Sequence, residues 1–107
     1  MQDLLSRHCA PVDGQPALSP AQCAPWLQAL PSWEVVDGAL QRRFRFEDFH
    51  RTMAFVNAVA WVAHREDHHP DLAVSWGACT VRFSTHSVGG LSVNDFICAA
   101  RVDALLA

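Results

Sequence analysis

From Leu40 to Phe46 apolar and polar positions alternate. Leu40, Arg42, Phe44 and Phe46 share one side of an extended chain, and Gln41, Arg43 and Arg45 share the other. A two-residue period predicts a strand on a half-exposed sheet. Trp33-Glu34-Val35-Val36 precedes it as a short strand signal, and Asp37-Gly38 between the two is a hairpin pair, because glycine accepts positive φ. A second alternation runs through Leu72–Trp76 and Ala78–Thr85 about Gly77. Val81 and Phe83 fall on one side, Thr80, Arg82 and Ser84 on the other. Between the hairpins the period lengthens. Phe49, Met53, Val56, Ala60 and Ala63 recur at four-three spacing, with Phe55, Val59 and Val62 beside them. This wide stripe predicts a main core helix of about 20 residues. Glu47 and Asp48 would sit at the positive end of its dipole. Pro70 sets its end near Asp67 or His68, since residues before proline are pushed out of helical geometry.

Two further helices flank this pattern. Ser19-Pro20-Ala21-Gln22 joins a capping serine, a proline suited to the first helical position and a glutamine able to complete the capping box. That helix runs to about Leu30, with Trp26, Leu27 and Leu30 on one face, and Pro31 ends it. Ser92-Val93-Asn94-Asp95 opens the last helix in the same way, with Phe96, Ala99, Ala100, Val102 and Leu106 on its buried side. The order is α-β-β-α-β-β-α. It predicts an α+β fold, a four-stranded antiparallel sheet with three helices packed on one face. Residues 1–18, broken by Pro11, Gly14 and Pro16, read as an irregular, loosely packed lead-in, and residues 19–107 as one domain.

Composition narrows the function classes. Half the residues are apolar and 18% are charged, which excludes a disordered chain. A net charge of −3 with no basic stripe argues against nucleic-acid binding. No long apolar run is present, so neither a membrane span nor a secretory leader is expected. Cys9, Cys23, Cys79 and Cys98 are widely spaced without a C-x-x-C pair. Reduced thiols in a cytoplasmic protein are the expectation, with Cys79 and Cys98 as small core residues.

Candidate chemistry gathers in His64-Arg65-Glu66-Asp67-His68-His69-Pro70-Asp71. His64 and His68, four apart, can point from one helix face, as in a zinc helix. However, Arg65 stands where the zincin motif needs glutamate, and nothing fixes a third ligand among His69, Asp71 and His86. Alternatively, adjacent His68 and His69 can hold one proton between them near neutral pH, provided the chain turn at Pro70 brings both to one cleft. The third reading is a surface helix end, with Glu66 and Asp67 on a solvated face, His86 bonded to backbone at a strand end, and Asp95 only a cap.

The residues Glu66-Asp67-His68-His69-Pro70-Asp71, Ser84-Thr85-His86 and Gly90-Leu91-Ser92 with Asp95 resemble the pterin-4a-carbinolamine dehydratase family, as a bacterial-type member. Trp76 supplies the aromatic that the family carries after His-His-Pro. The likeness extends back through Trp33-Glu34-Val35 and Phe46-Glu47-Asp48-Phe49. It implies an enzyme without metal or other cofactor that dehydrates 4a-hydroxytetrahydrobiopterin to quinonoid dihydropterin, in tetrahydrobiopterin recycling. It implies that His68, His69 and His86 line the pterin pocket. His68 and His86 would move the proton to the hydroxyl, and His69 would orient substrate or share the base role. Asp95 would orient His86 or a nearby group. Pro70 and Thr85, His86, Ser87 and Val88 would border the ring, with Trp33 in the pocket wall. The resemblance also implies a homodimer or homotetramer and a pathway partner among the aromatic amino-acid hydroxylases. The alternative functions are a protein-binding cofactor for a transcription factor or hydroxylase, or a small metal-binding module. His64 stands where animal members carry glutamate, Leu72 where an aromatic is frequent, and Ser87 where many members are acidic.

Overall fold

The computed structural model describes residues 3–107. Its elements follow the expected order: α1 Pro20–Ala29, β1 Glu34–Val36, β2 Ala39–Arg45, α2 Phe49–Glu66, β3 Asp71–Ser75, β4 Ala78–Phe83 and α3 Val93–Ala104, with 3-10 turns at Leu4–Ser6 and His86–Val88. All strand pairs are antiparallel, and the sheet order is β1-β2-β4-β3. Among the described residues no helix is long and apolar enough to cross a membrane.

The turns follow local chemistry. Asp37 (φ 49) and Gly38 (φ 76) both take positive φ, so β1 and β2 are joined by a two-residue turn whose twist matches the strands. Ser19 Oγ accepts from the Gln22 N–H, and Gln22 Oε1 accepts from the Ser19 N–H, which closes the capping box of α1. Pro25 sits inside this helix, so the Ala21 carbonyl lacks its usual partner.

One sheet face meets the helices. Leu40 and Phe44 of β2 and Cys79, Val81 and Phe83 of β4 are buried there. On the outer face Arg43 and Arg45 are exposed and Thr80 and Arg82 half-buried. Arg42 faces inward and is held by Asp103 of α3 at 2.7 Å, with its guanidinium 4.3 Å from the centre of the Phe44 ring. Phe44 packs on Phe55 of α2 (ring centres 4.5 Å apart), and Trp33 on Phe83 (6.1 Å).

Three expectations need correction. First, the buried stripe of α2 is Thr52, Phe55, Val59, Val62, Ala63 and Glu66, whereas Phe49 and Ala60 face solvent. Two polar residues occupy inward positions because each has a partner. Thr52 Oγ1 donates toward the Asp48 and Trp76 carbonyls, and Glu66 is bonded as described below. The helix starts two residues after Glu47, at Phe49, with Asp48 as its cap through the Arg51 N–H. Second, Leu106 lies beyond α3 and is 54% exposed. Third, the N-terminal segment is irregular but firmly packed. Leu4 and Val12 are buried, and the Cys9 N–H donates to Glu66 Oε1 at 2.8 Å. The Ala10 N–H donates to Asn94 Oδ1, Asn94 Nδ2 donates back to the Ala10 carbonyl, and Arg101 donates to the Arg7 carbonyl. Such pairing satisfies backbone groups that have no ladder or helix to join.

Candidate active site

Helix α2 ends where expected, at Asp67, and the turn there is left-handed. Asp67 adopts the left-handed conformation (φ 50, ψ 44), and the His68 N–H donates back to the Ala63 carbonyl at 3.1 Å. This is the C-terminal turn that glycine usually makes, built here on an aspartate that tolerates it. It reverses the chain immediately before His68. As a result the two neighbouring histidines part: His68 points inward with 12% of its side chain exposed, while His69 is exposed.

His68 Nε2 donates to Asp95 Oδ1 at 2.6 Å. Asp95 is fully buried. Its other oxygen, Oδ2, accepts from the Ser92 N–H (2.9 Å) and from Thr85 Oγ1 (2.8 Å), and Thr85 Oγ1 also meets Ser92 Oγ at 2.8 Å. A buried carboxylate with both oxygens occupied is held in place from three sides. With Asp95 as a carboxylate, His68 donates through Nε2, and its Nδ1 takes no part in this bond. The imidazole also lies parallel to the Phe83 ring, centres 6.0 Å apart and planes within 12°. Asp95 thus serves the α3 cap and His68 together; of the two partners expected for it, His86 or a nearby group, the structure provides the neighbour His68.

Two cavities meet at Thr85. One, of about 340 Å³, is walled by His68, Thr85, Ser87 and Asn94 with the N-terminal stretch Cys9–Asp13. The other, of about 290 Å³, is walled by Ser84, Thr85, His86, Gly89 and Gly90 with the Asp37-Gly38 turn. His86 opens the exposed 3-10 turn. The Thr85 N–H donates to the Gly90 carbonyl at 2.8 Å, which closes the loop that carries His86 and Ser87. Pro70 and Val88 are half-buried, and neither cavity wall includes them or His69. Trp33, expected in the pocket wall, is buried against Phe83 and lines neither of these cavities; its indole Nε1 donates to Asp103 at 2.8 Å.

Glu66, expected on a solvated face, is buried one turn before the site. Burial acts to raise its pKa, but the Cys9 N–H, His8 (3.1 Å) and Arg101 (3.6 Å) outweigh it and hold the carboxyl below its ordinary value. Glu66, Asn94 and the Cys9 segment carried no sequence signal as a group, since their partners are 57 to 89 residues apart. Phe83 was legible only as a strand residue, and Ser92 only as a cap and as part of the family motif. Among the described residues no three or more His, Cys, Asp or Glu side chains converge in a metal-binding group.

Residues 16–105 match the family model for pterin 4 alpha carbinolamine dehydratase. A provisionally named pterin-4-alpha-carbinolamine dehydratase of Stenotrophomonas maltophilia is 56% identical over 105 residues, 95% of this chain and 90% of that protein. A relative of the same name from Chromobacterium violaceum is 50% identical over 96% of this chain and 95% of its own. The crystal structure of a transcriptional coactivator/pterin dehydratase from Brucella melitensis superposes with a TM-score of 0.80 at 30% identity, covering 85% of this chain and 99% of that one. A pterin dehydratase-like protein described as a RuBisCO assembly factor in the alpha-carboxysome superposes at 0.56 with 26% identity, over 68% of this chain and 84% of its own.

Proposed function

The chain belongs to the pterin-4-alpha-carbinolamine dehydratase family, a family of lyases, and from this we propose that it dehydrates 4a-hydroxytetrahydrobiopterin to quinonoid dihydropterin by histidine acid–base chemistry in tetrahydrobiopterin recycling. Dehydration breaks the C4a–O bond. The hydroxyl takes up a proton and leaves as water, while N5 gives up its proton as the new double bond forms. Both transfers call for positioned groups that titrate near neutral pH. The observation that carries this reading is the His68–Asp95 pair, buried on one side and open to a cavity of about 340 Å³ on the other. That volume suits a small heterocycle, since ligand sites run to roughly 300–1,000 Å³.

In this reading Asp95 fixes the ring and tautomer of His68 through Nε2, and Nδ1 exchanges the proton. His86, across Thr85, acts with it on the departing hydroxyl, and His69 orients substrate or shares the base role. Pro70, Thr85, Ser87 and Val88 border the pterin. The test is turnover of enzymatically generated 4a-carbinolamine with EDTA present. A rate above the uncatalysed one is expected; a rate equal to it would end the dehydratase reading.

A second reading concerns partners. Strand β3 is a sheet edge exposed along its whole length, with Leu72, Val74 and the following Trp76 (65% exposed) uncovered. Open edges of this kind accept another strand. A second copy of the chain, in a homodimer or homotetramer, is the proposed occupant, and sedimentation of the wild type against Val74→Lys tests it. The coactivator and assembly-factor roles named for the two solved relatives make a heterologous partner the competing occupant. Such a partner would survive His69→Ala in a pull-down.

A further inference from the structure

Two free thiols meet across almost the full chain. Cys9 Sγ lies 3.6 Å from Cys98 Sγ of α3, and neither is bonded covalently. The contact is built. The N-terminal segment is anchored on both sides of Cys9, by Glu66 and Asn94 at Cys9 and Ala10 and by Arg101 at Arg7. Cys98 is fully buried, whereas Cys9 is partly exposed, so an oxidant from solvent reaches Cys9 first. The hydrogen bond with Cys9, together with burial, keeps Cys98 in its thiol form.

We propose that Cys9 and Cys98 form a two-electron oxidation site for hydroperoxides, whose disulfide staples the N-terminal segment to α3. In the first step the Cys9 sulfur attacks hydrogen peroxide. An S–O bond forms, the O–O bond breaks and the departing hydroxide takes the Cys9 proton, giving Cys9 sulfenic acid and one water. In the second step the Cys98 proton passes to the sulfenic oxygen of Cys9 as the Cys98 sulfur attacks the Cys9 sulfur. The S–S bond forms, the S–O bond breaks, and the protonated oxygen leaves as a second water. Two thiols are oxidised by two electrons, and one peroxide is reduced. The sulfurs must close from 3.6 Å to about 2.05 Å for the bond to form. The stapled stretch, Cys9–Asp13, is a wall of the His68 cavity, so oxidation fixes that wall.

The experiment treats the full chain with hydrogen peroxide and digests it, unreduced, with an aspartate-directed protease. Cleavage before Asp13 separates Cys9 from Cys23, and cleavage before Asp95 separates Cys98 from Cys79. The expected result is one cross-linked peptide pair holding Cys9 and Cys98. Two of the four thiols should be lost, restored by dithiothreitol, and Tm should rise in a way that Cys9→Ser abolishes. Cys98→Ala should instead leave a sulfenic acid at Cys9 that dimedone traps. Sulfinic acid at Cys9 with Cys98 still free would overturn the proposal. So would a cross-link between Cys9 residues of two copies, or no thiol loss at all.

Discussion

His68 and Asp95, 27 residues apart, meet at 2.6 Å, and the oxygen of Asp95 that does not touch His68 closes the first turn of α3. One carboxylate therefore carries a helix cap and the orientation of the proposed acid–base group. Neither task can be altered alone, which makes the pair the natural starting point for mutagenesis.

Asp95→Asn separates shape from charge. An amide has one accepting arm and one donating arm. Whichever way it turns, either His68 Nε2–H or the Thr85 and Ser92 donors will face an N–H group. Activity is expected to fall by roughly 10²–10⁴-fold, the usual weight of positioned acid–base groups. Stability should drop by about 1–3 kcal/mol. Steady-state kinetics and urea unfolding measure the two effects. Unchanged kcat in a folded variant would remove Asp95 from the mechanism.

Thr85→Val deletes the hydroxyl that donates to Asp95 and meets Ser92, with little change of shape. The cost in stability is expected at about 1–3 kcal/mol, since buried acceptors are left short of a donor. Thr85→Ser should restore most of both activity and stability. A Val variant as active and stable as wild type would show the hydroxyl to be idle.

Trp33→Phe probes the structural role assigned to that residue. Losing the indole N–H leaves Asp103 still bonded to Arg42. Unfolding free energy should fall by about 0.5–1.5 kcal/mol, while KM and kcat stay at wild-type values. A rise in KM would return Trp33 to the substrate wall.

Glu66 gives the fold an acid limb. Its folded pKa lies below the ordinary value of 4.5, so the stabilisation is fully present above that value. It is lost as the pH falls through the folded value, where Glu66 takes up a proton and releases the Cys9 N–H, His8 and Arg101. Glu66→Gln should be less stable at neutral pH and should lose less on acidification. Thermal melts of both proteins between pH 3 and 7 (about the range spanning carboxylate titration) check this; parallel curves would refute it.

What the sequence made legible was local. The Asp37-Gly38 turn, the Ser19 and Ser92 boxes and the β2 and β4 alternation need only neighbouring residues, and each stands as expected. The α2 stripe was misplaced because its inward row includes Thr52 and Glu66. Their burial depends on the Trp76 carbonyl and on the N-terminal segment, partners that no helical period announces. The segment itself has no period to read; Leu4, Cys9 and Val12 are fixed by contacts with α2 and α3. At the site, the histidines and Asp95 were visible as ingredients through a family likeness. Their partition was not, because it follows from the left-handed turn at Asp67, which sends His68 inward and leaves His69 outside.

The shared carboxylate also bears on how the protein fails when warmed. Local opening usually begins at element ends, and here the first turn of α3 is such an end. When that turn opens and carries Asp95 away with it, His68 loses its anchor in the same event. Heat inactivation should therefore precede global melting, and amide exchange at Ser92 should report the loss of activity before any change in the sheet.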